Sequence, residues 1–299
     1  MSLPAAAGSI GGAGGGGVGA VLPDRMGFGR GDNRNRHRPY GCTSGVGCER
    51  RRHRYEVMGT VFSFILGASV EEAAVRAVEV ELDRIDQLFS TYRPESQIAR
   101  LNAGRIRLGD CSPDVREVLK MCSDAECRTS GWFTAGYGTG IDPTGVVKGW
   151  GVRRASDLLV AAGSTCHAIN GGGDVLVVAD PAVDEPWRVG VSTGTAPGSL
   201  VAVVTGHNFC VATSGNSERR GEIRNPFTGS PSLTWAIFSV AGPDITEADA
   251  FATAAVAMGR PAVAWVGRLP GYEAIAVDAE GEVFMTAGFA AAGAECRFS

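Results

Sequence analysis

Segments with helical spacing and segments with strand composition follow one another along this chain in irregular order, without a repeated strand-helix-strand unit. That order favours a mixed α/β (α+β) domain over a doubly wound parallel sheet, which needs a crossover helix between successive strands. The helical segments are marked by their apolar spacing. Val75, Val78, Leu82, Ile85 and Phe89 recur on one helical face after Ser69 and Glu72, which have capping-box spacing, and the helix must stop by Arg93-Pro94. A second helix runs from the Ser112-Pro113 cap through Val115, Val118 and Cys122 toward Arg128. A third carries Val152, Ala155, Leu159 and Ala162 as its stripe and ends at Gly163, and a fourth covers Glu247 to about Met258. Strands are expected at Val61–Leu66, Val175–Ala179, Trp187–Val191, Leu200–Val204, Trp235–Ala241, Tyr272–Val277 and Val283–Thr286.

Residues 1 to 54 have a different composition. They are rich in glycine and arginine and poor in large apolar side chains, so burial cannot offset the entropy of ordering them. The expected organisation is a disordered arm over 1–54 followed by one domain over 55–299. The arm carries nine arginines against Asp24, Asp32 and Glu49, leaving an acidic body that does not suit nucleic acid as the main partner. No apolar run is long enough to cross a membrane, and the first residues lack a basic and then an apolar signal region, so a cytoplasmic location is expected. Eight cysteines show neither a CxxC pair nor zinc-ligand spacing and are expected to be mostly reduced and buried.

Lysine is nearly absent, with arginine taking almost all basic positions. One of the two lysines, Lys148, lies in Asp142-Pro-Thr-Gly145-Val-Val-Lys148-Gly149-Trp150. A carboxylate, a hydroxyl, glycine backbone and a compact ammonium at a helix entry suit an anion, although Asp142 or Thr144 could simply cap the helix. Gly149 and Gly151 weaken a helix, so close backbone approach is expected there. In Thr246-Glu-Ala-Asp249-Ala-Phe-Ala-Thr253, Asp249 and Thr253 share a helix face. Their oxygens suit Mg²⁺, while Thr246 with Asp249 equally fits a capping box. Asn170-Gly-Gly-Gly-Asp174 precedes a strand and reads as a tight turn rather than a dinucleotide loop. Ala212-Thr-Ser214-Gly is not a nucleophile elbow. Tyr92, at a helix end, could stack on an aromatic ligand or pack conventionally.

Taken in order, these runs resemble the FAD:protein FMN transferase (ApbE) family over about residues 55 to 290. The resemblance rests on Met58-Gly-Thr60, Phe89-Ser-Thr-Tyr92-Arg-Pro-Glu-Ser96 with Leu101-Asn102, Asp142 to Gly149, Asn170 to Asp174, Ala212 to Gly215, Asn225-Pro-Phe-Thr-Gly229, and Glu247-Ala-Asp249 with Thr253. It implies an α+β fold of twisted, largely antiparallel sheets flanked by helices, with FAD as substrate and Mg²⁺ as cofactor. It also implies transfer of FMN to a threonine hydroxyl of an acceptor flavoprotein, with release of AMP. Carried over by motif, Asp249, Thr253 and the Gly145 carbonyl are implied as metal ligands, and Asp249 with Lys148 as the catalytic groups. Met58, Tyr92, Trp132, Phe133, Thr134, Asp142 and Lys148 are implied as flavin-nucleotide contacts.

Two stretches depart from the family pattern. Glu222-Ile-Arg-Asn225 stands where the family has a histidine and an aspartate, and Thr134 stands where it has an aspartate. The competing expectations are an FAD pyrophosphatase at the same site and a non-catalytic FAD-binding protein.

Overall fold

A computed structural model describes residues 20–21, 50–137, 140–193, 199–216, 221–291 and 295–298. Its strands are β1 (Ala20–Val21), β2 (Arg50–Val57), β3 (Thr60–Gly67), β4 (Gly136–Tyr137), β5 (Gly140–Ile141), β6 (His167–Gly171), β7 (Asp174–Val178), β8 (Trp187–Ser192), β9 (Leu200–Gly206), β10 (Phe209–Gly215), β11 (Trp235–Gly242), β12 (Glu273–Asp278), β13 (Val283–Met285) and β14 (Glu295–Phe298). The helices are α1 (Glu72–Phe89), α2 (Gln97–Asn102), α3 (Pro113–Arg128), α4 (Thr144–Ala161), α5 (Ile245–Met258), α6 (Ala262–Val266) and α7 (Ala287–Ala291).

An eight-stranded sheet in the order β13-β12-β11-β10-β7-β6-β3-β2 is antiparallel throughout. Alternate residues along a strand face opposite sides, and this sheet uses both. Cys210, Ala212, Phe238 and Val240 join Val78, Leu82, Val152 and Phe251 in a core beneath the helices. Their neighbours Phe209, Val211, Ile237 and Ile275 join Val189, Val191 and Val204 in a second core. That second core is closed by the sheet β1-β8-β9-β14, in which β14 runs parallel to β9. The α+β class with largely antiparallel sheets holds.

The stripe expected on α1 is buried in full, each such side chain contributing about 2 kcal/mol relative to exposure. Its start differs from expectation. Glu71, not Ser69, is the N-cap, and no side chain caps that end. Ser112 and Pro113 begin α3 as expected, Ser112 Oγ accepting from Val115 N. Helix α4 begins at Thr144, so the lysine motif is the helix's first turns rather than its approach, and Ala162 is exposed instead of completing the stripe.

Strand order begins at Arg50, ahead of the expected Tyr55. Here ion pairs and hydrogen bonds do what apolar burial was expected to do. Arg51 reaches Glu72, His53 Nε2 lies 2.8 Å from Glu79 Oε1, and Tyr55 Oη donates to Asp83 Oδ2 at 2.7 Å, lacing β2 to α1. The rest of the expected arm lies outside the described residues apart from Ala20–Val21, which pairs with β8. Cys111, Cys122, Cys166 and Cys210 are buried free thiols and Cys127 is an exposed one. Among the described residues no helix is long and apolar enough to cross a membrane.

Candidate functional site

Three elements converge on one cluster of charge: the first turns of α4, the turn between β6 and β7, and the middle of α5. Helices α4 and α5 can meet closely because residue 149 is glycine. A Cβ there would lie 2.7 Å from the Ile245 carbonyl oxygen and 3.0 Å from Asp249 Cβ. The close approach expected from this glycine is therefore the approach of a neighbouring helix. It lets Gly149 N donate to Asp249 Oδ2 at 2.9 Å. Asp249 is thus not half of a capping box, since Asp244 caps α5 by accepting from Thr246 N and Glu247 N.

On the sheet side, Gly172 and Gly173 take φ of +61° and +98°, which lets the chain reverse between β6 and β7. Asn170 Oδ1 accepts from Gly173 N, completing the expected turn. The turn delivers Asp174 to the interior. Asp174 is fully buried, its Oδ1 accepts from Thr213 N at 3.0 Å, and its Oδ2 lies 2.9 Å from Lys148 Nζ. Two buried carboxylates and one ammonium therefore share a small volume. Burial first, and then the charge of Asp174, push Asp249 up to about 8, against the pull of Lys148 and the Gly149 hydrogen bond. Burial also raises Asp174 above the ordinary carboxylate range, while Lys148 pulls it back.

The oxygen donors gather one turn away. Thr253 lies a helical turn beyond Asp249, and a Cβ on Gly145 would sit 3.2 Å from its Oγ1. Ser214 Oγ is 3.3 Å from the same hydroxyl. The structure thus brings together Gly145, Lys148, Asp249 and Thr253, four residues expected from sequence, and adds Asp174 and Ser214. Among the described residues no three His, Cys, Asp or Glu side chains form a metal-binding group. A cation here would rely instead on one carboxylate with hydroxyl and main-chain oxygen, the set suited to a hard ion.

The ApbE family model matches residues 58–139 and 134–276, which together span most of the chain. The chain belongs to the ApbE family. Similar solved structures are an ApbE protein from Thermotoga maritima (19% identity, TM-score 0.73, covering 81% of this chain and 99% of that one) and the flavin transferase ApbE from Vibrio cholerae (18%, 0.68, 82% and 99%). The apo flavinyl transferase ApbE from Pseudomonas stutzeri is similar too (21%, 0.70, 82% and 97%). At these identities the likeness is one of fold. No curated protein matches the sequence.

Within this ApbE fold the expected flavin contacts are dispersed. Asp142 stands at the entry to α4, its Oδ1 accepting from Thr144 N at 3.0 Å, so it has a capping part as well. Phe133 is buried at 2% exposure with its ring against Gly145, which makes it a support for the helix entry rather than an open ligand surface. Thr134 Oγ1 accepts from Gly136 N. Met58 has a positive φ of 53° and directs its Cε toward Gly151, on the side of α4 that meets α1, nearly opposite Gly149. Tyr92 is 85% exposed on the turn after α1. Trp132 meets the exposed Phe227 edge-on, with ring centroids 4.8 Å apart.

Phe227 belongs to the loop that follows Glu222 and Asn225. Asn225 Oδ1 accepts from Phe227 N and Thr228 N, so this residue holds the loop in shape. Glu222 is exposed. A cleft of about 310 Å³ between α3, α4 and α5 is lined by Val146 and Trp150 of the lysine motif but by none of the residues expected to contact flavin or metal. Its arginines are already paired, Arg128 with Glu247, Arg153 with Asp157 and Arg154 with Glu81, so it offers no unbalanced positive charge to a phosphate.

Proposed function

We propose that this chain is a Mg²⁺-dependent flavin transferase that moves FMN from FAD to a threonine hydroxyl of an acceptor flavoprotein and releases AMP. The flavin transferases among its structural neighbours support the reaction class. The observation that carries the reading is the meeting of Lys148, Asp249, Thr253 and Gly145 at one helix crossing. Two buried carboxylates against one ammonium leave the site short of positive charge, and Asp249 answers by keeping its proton up to a pH of about 8. That donor set fits a divalent ion.

Asp249, Thr253 and the Gly145 carbonyl would hold Mg²⁺. When bound, the ion neutralises charge developing on the phosphate oxygens of the pyrophosphate being split. Lys148 contributes a second positive charge and binds a phosphate oxygen as a point charge. Asp142 and Thr134 would flank the nucleotide at the α4 entry and Trp132 and Tyr92 would offer aromatic faces to its rings, whereas Met58, packed against Gly151 on the α1 side of α4, supports the helix rather than the ligand. The acceptor hydroxyl attacks the phosphorus of the FMN half and gives up its proton to solvent, the pyrophosphate P–O bond breaks, and AMP departs with the bridging oxygen.

Glu222 and Asn225, standing where the family pattern has histidine and aspartate, favour a non-catalytic FAD-binding protein as the second reading, and among the enzyme readings transfer competes with hydrolysis of FAD by water. Purified protein incubated with FAD, Mg²⁺ and a candidate acceptor separates the three. Flavin fluorescence retained on the denatured acceptor supports transfer. AMP without labelled acceptor means hydrolysis, and FAD binding with neither product rejects both enzyme readings.

A further inference from the structure

We infer that Asp174 is a positioning residue for Lys148, fixing where the only ammonium of the cluster stands relative to the pyrophosphate. This deepens the flavin-transfer reading and rests on it. The turn between β6 and β7 was legible as a turn, but nothing in its sequence gives its aspartate a task. The geometry does.

Asp174 opens β7 opposite Gly171, is fully buried, and is tied by its Oδ1 to the backbone of β10 through Thr213 N. Its other oxygen faces Lys148 Nζ at 2.9 Å. The carboxylate is thus fixed from the sheet through one oxygen and grips the helix-borne ammonium with the other. Lysine has a flexible four-carbon stem, and its ammonium has no preferred orientation of its own. A buried anion pinned by a backbone N–H restricts that freedom. The Lys148 side chain stays 29% exposed, so the held charge still reaches the surface of the site. A lone buried carboxylate would be costly, which argues that Asp174 and Lys148 were built as a pair.

The near absence of lysine makes the pair testable. Lys120 and Lys148 are the only two lysines, and Lys120 is an exposed side chain on α3 paired with Asp124. Reductive ¹³C-methylation of the intact chain therefore yields three resolvable signals, from Lys120, Lys148 and the N-terminal amine, with Lys120 serving as internal reference. In Asp174→Asn, Lys148 should methylate several-fold faster than in the wild type while Lys120 is unchanged. An unchanged Lys148 rate overturns the proposal. If the Asn variant does not fold, Asp174→Glu asks the same question, because its longer arm displaces the ammonium and must shift the Lys148 rate.

A double-mutant cycle on FAD affinity with Mg²⁺ present then separates positioning from mere support of the fold. Asp174→Asn and Lys148→Met should each weaken FAD binding about tenfold, and the double variant should be no weaker than Lys148→Met alone. The same loss from Asp174→Asn in both backgrounds would mean that Asp174 acts independently of Lys148, and the proposal falls. Failure of the wild-type chain to take up FAD would reject the flavin reading instead, leaving the methylation rates to decide the pair.

Discussion

At the residue scale the cluster is a problem of charge in a confined space, and its members respond differently to substitution. Asp249→Ala should abolish Mg²⁺-dependent turnover while leaving the far-UV circular dichroism intact; unchanged turnover would reject the ligand assignment. The same variant has a stability signature. Asp249 has its ordinary value of 3.8 raised to about 8 in the fold, so between those values the native state holds a proton that the unfolded state has released. Stability of the ion-free protein therefore falls as pH rises from about 4 to 8, and Asp249→Ala should flatten that decline in urea-unfolding curves. Gly149→Ala tests the helix crossing. Its methyl group would stand 2.7 Å from a backbone oxygen that cannot swing away, so α4 and α5 must part at a cost of about 1 to 3 kcal/mol. A variant with wild-type urea midpoint would show that the helices have slack there. Lys148, Asp249 and Thr253 were legible because their spacing carries chemistry within a few residues of sequence. Asp174 and Ser214 were not, because each reads locally as a turn or strand end and acquires meaning only from what the sheet brings beside it.

At the scale of elements, the sequence was most informative where one helix face is buried and a cap follows a local rule. The stripe of α1 and the Ser112 cap of α3 are of that kind. Strands β6 and β10 were missed because both of their faces are covered, which removes the alternation that marks a half-buried strand. The short helices α2, α6 and α7 lack the length for a periodic signal. Strand β2 was missed over Arg50–Arg54 because its inward side chains are satisfied by acids on α1, a cross-element match that composition does not reveal. A similar cross-element contact joins α4 to β6. His167 is buried between the hydroxyls of Ser156, 2.9 Å from Nε2, and Ser164, 3.0 Å from Nδ1. Burial pushes its imidazole down to about 4 from 6.5. The native state thus binds fewer protons than the unfolded state in that window, so this contribution is intact above about 6.5 and lost as pH falls toward 4. The difference corresponds to about 3 kcal/mol. His167→Gln, which cannot titrate, should lose that part of the acid sensitivity in urea titrations at pH 7 and pH 4.5. Equal acid sensitivity in the two proteins would show that His167 is not the group responsible.

At the scale of the whole molecule, the shared sheet decides how the site and the fold support one another. One face of that sheet carries the helices and the other the second core, so the element order alone implied an α+β molecule but not its two cores. The pairing of β14 with β9 joins segments roughly ninety residues apart, beyond any local signal. The charge cluster draws on both layers, since Asp174 and Ser214 come from the sheet while Lys148, Asp249 and Thr253 come from the helices above it. Ligand binding there should therefore stabilise both layers together. With FAD and Mg²⁺ each at about a hundred times its dissociation constant, linkage predicts about 2.7 kcal/mol per independent site. For a chain of this size that is a rise of several degrees in Tm, appearing as a shift of one transition. Neither ligand alone should match the pair, because the cation completes the phosphate-binding charge and the phosphates supply oxygens that the protein's donor set leaves to the cation. Differential scanning calorimetry on the wild type and on Asp249→Ala reads this directly. The variant should lose the Mg²⁺-dependent part of the rise, and an equal rise in both proteins would place the cation away from α5.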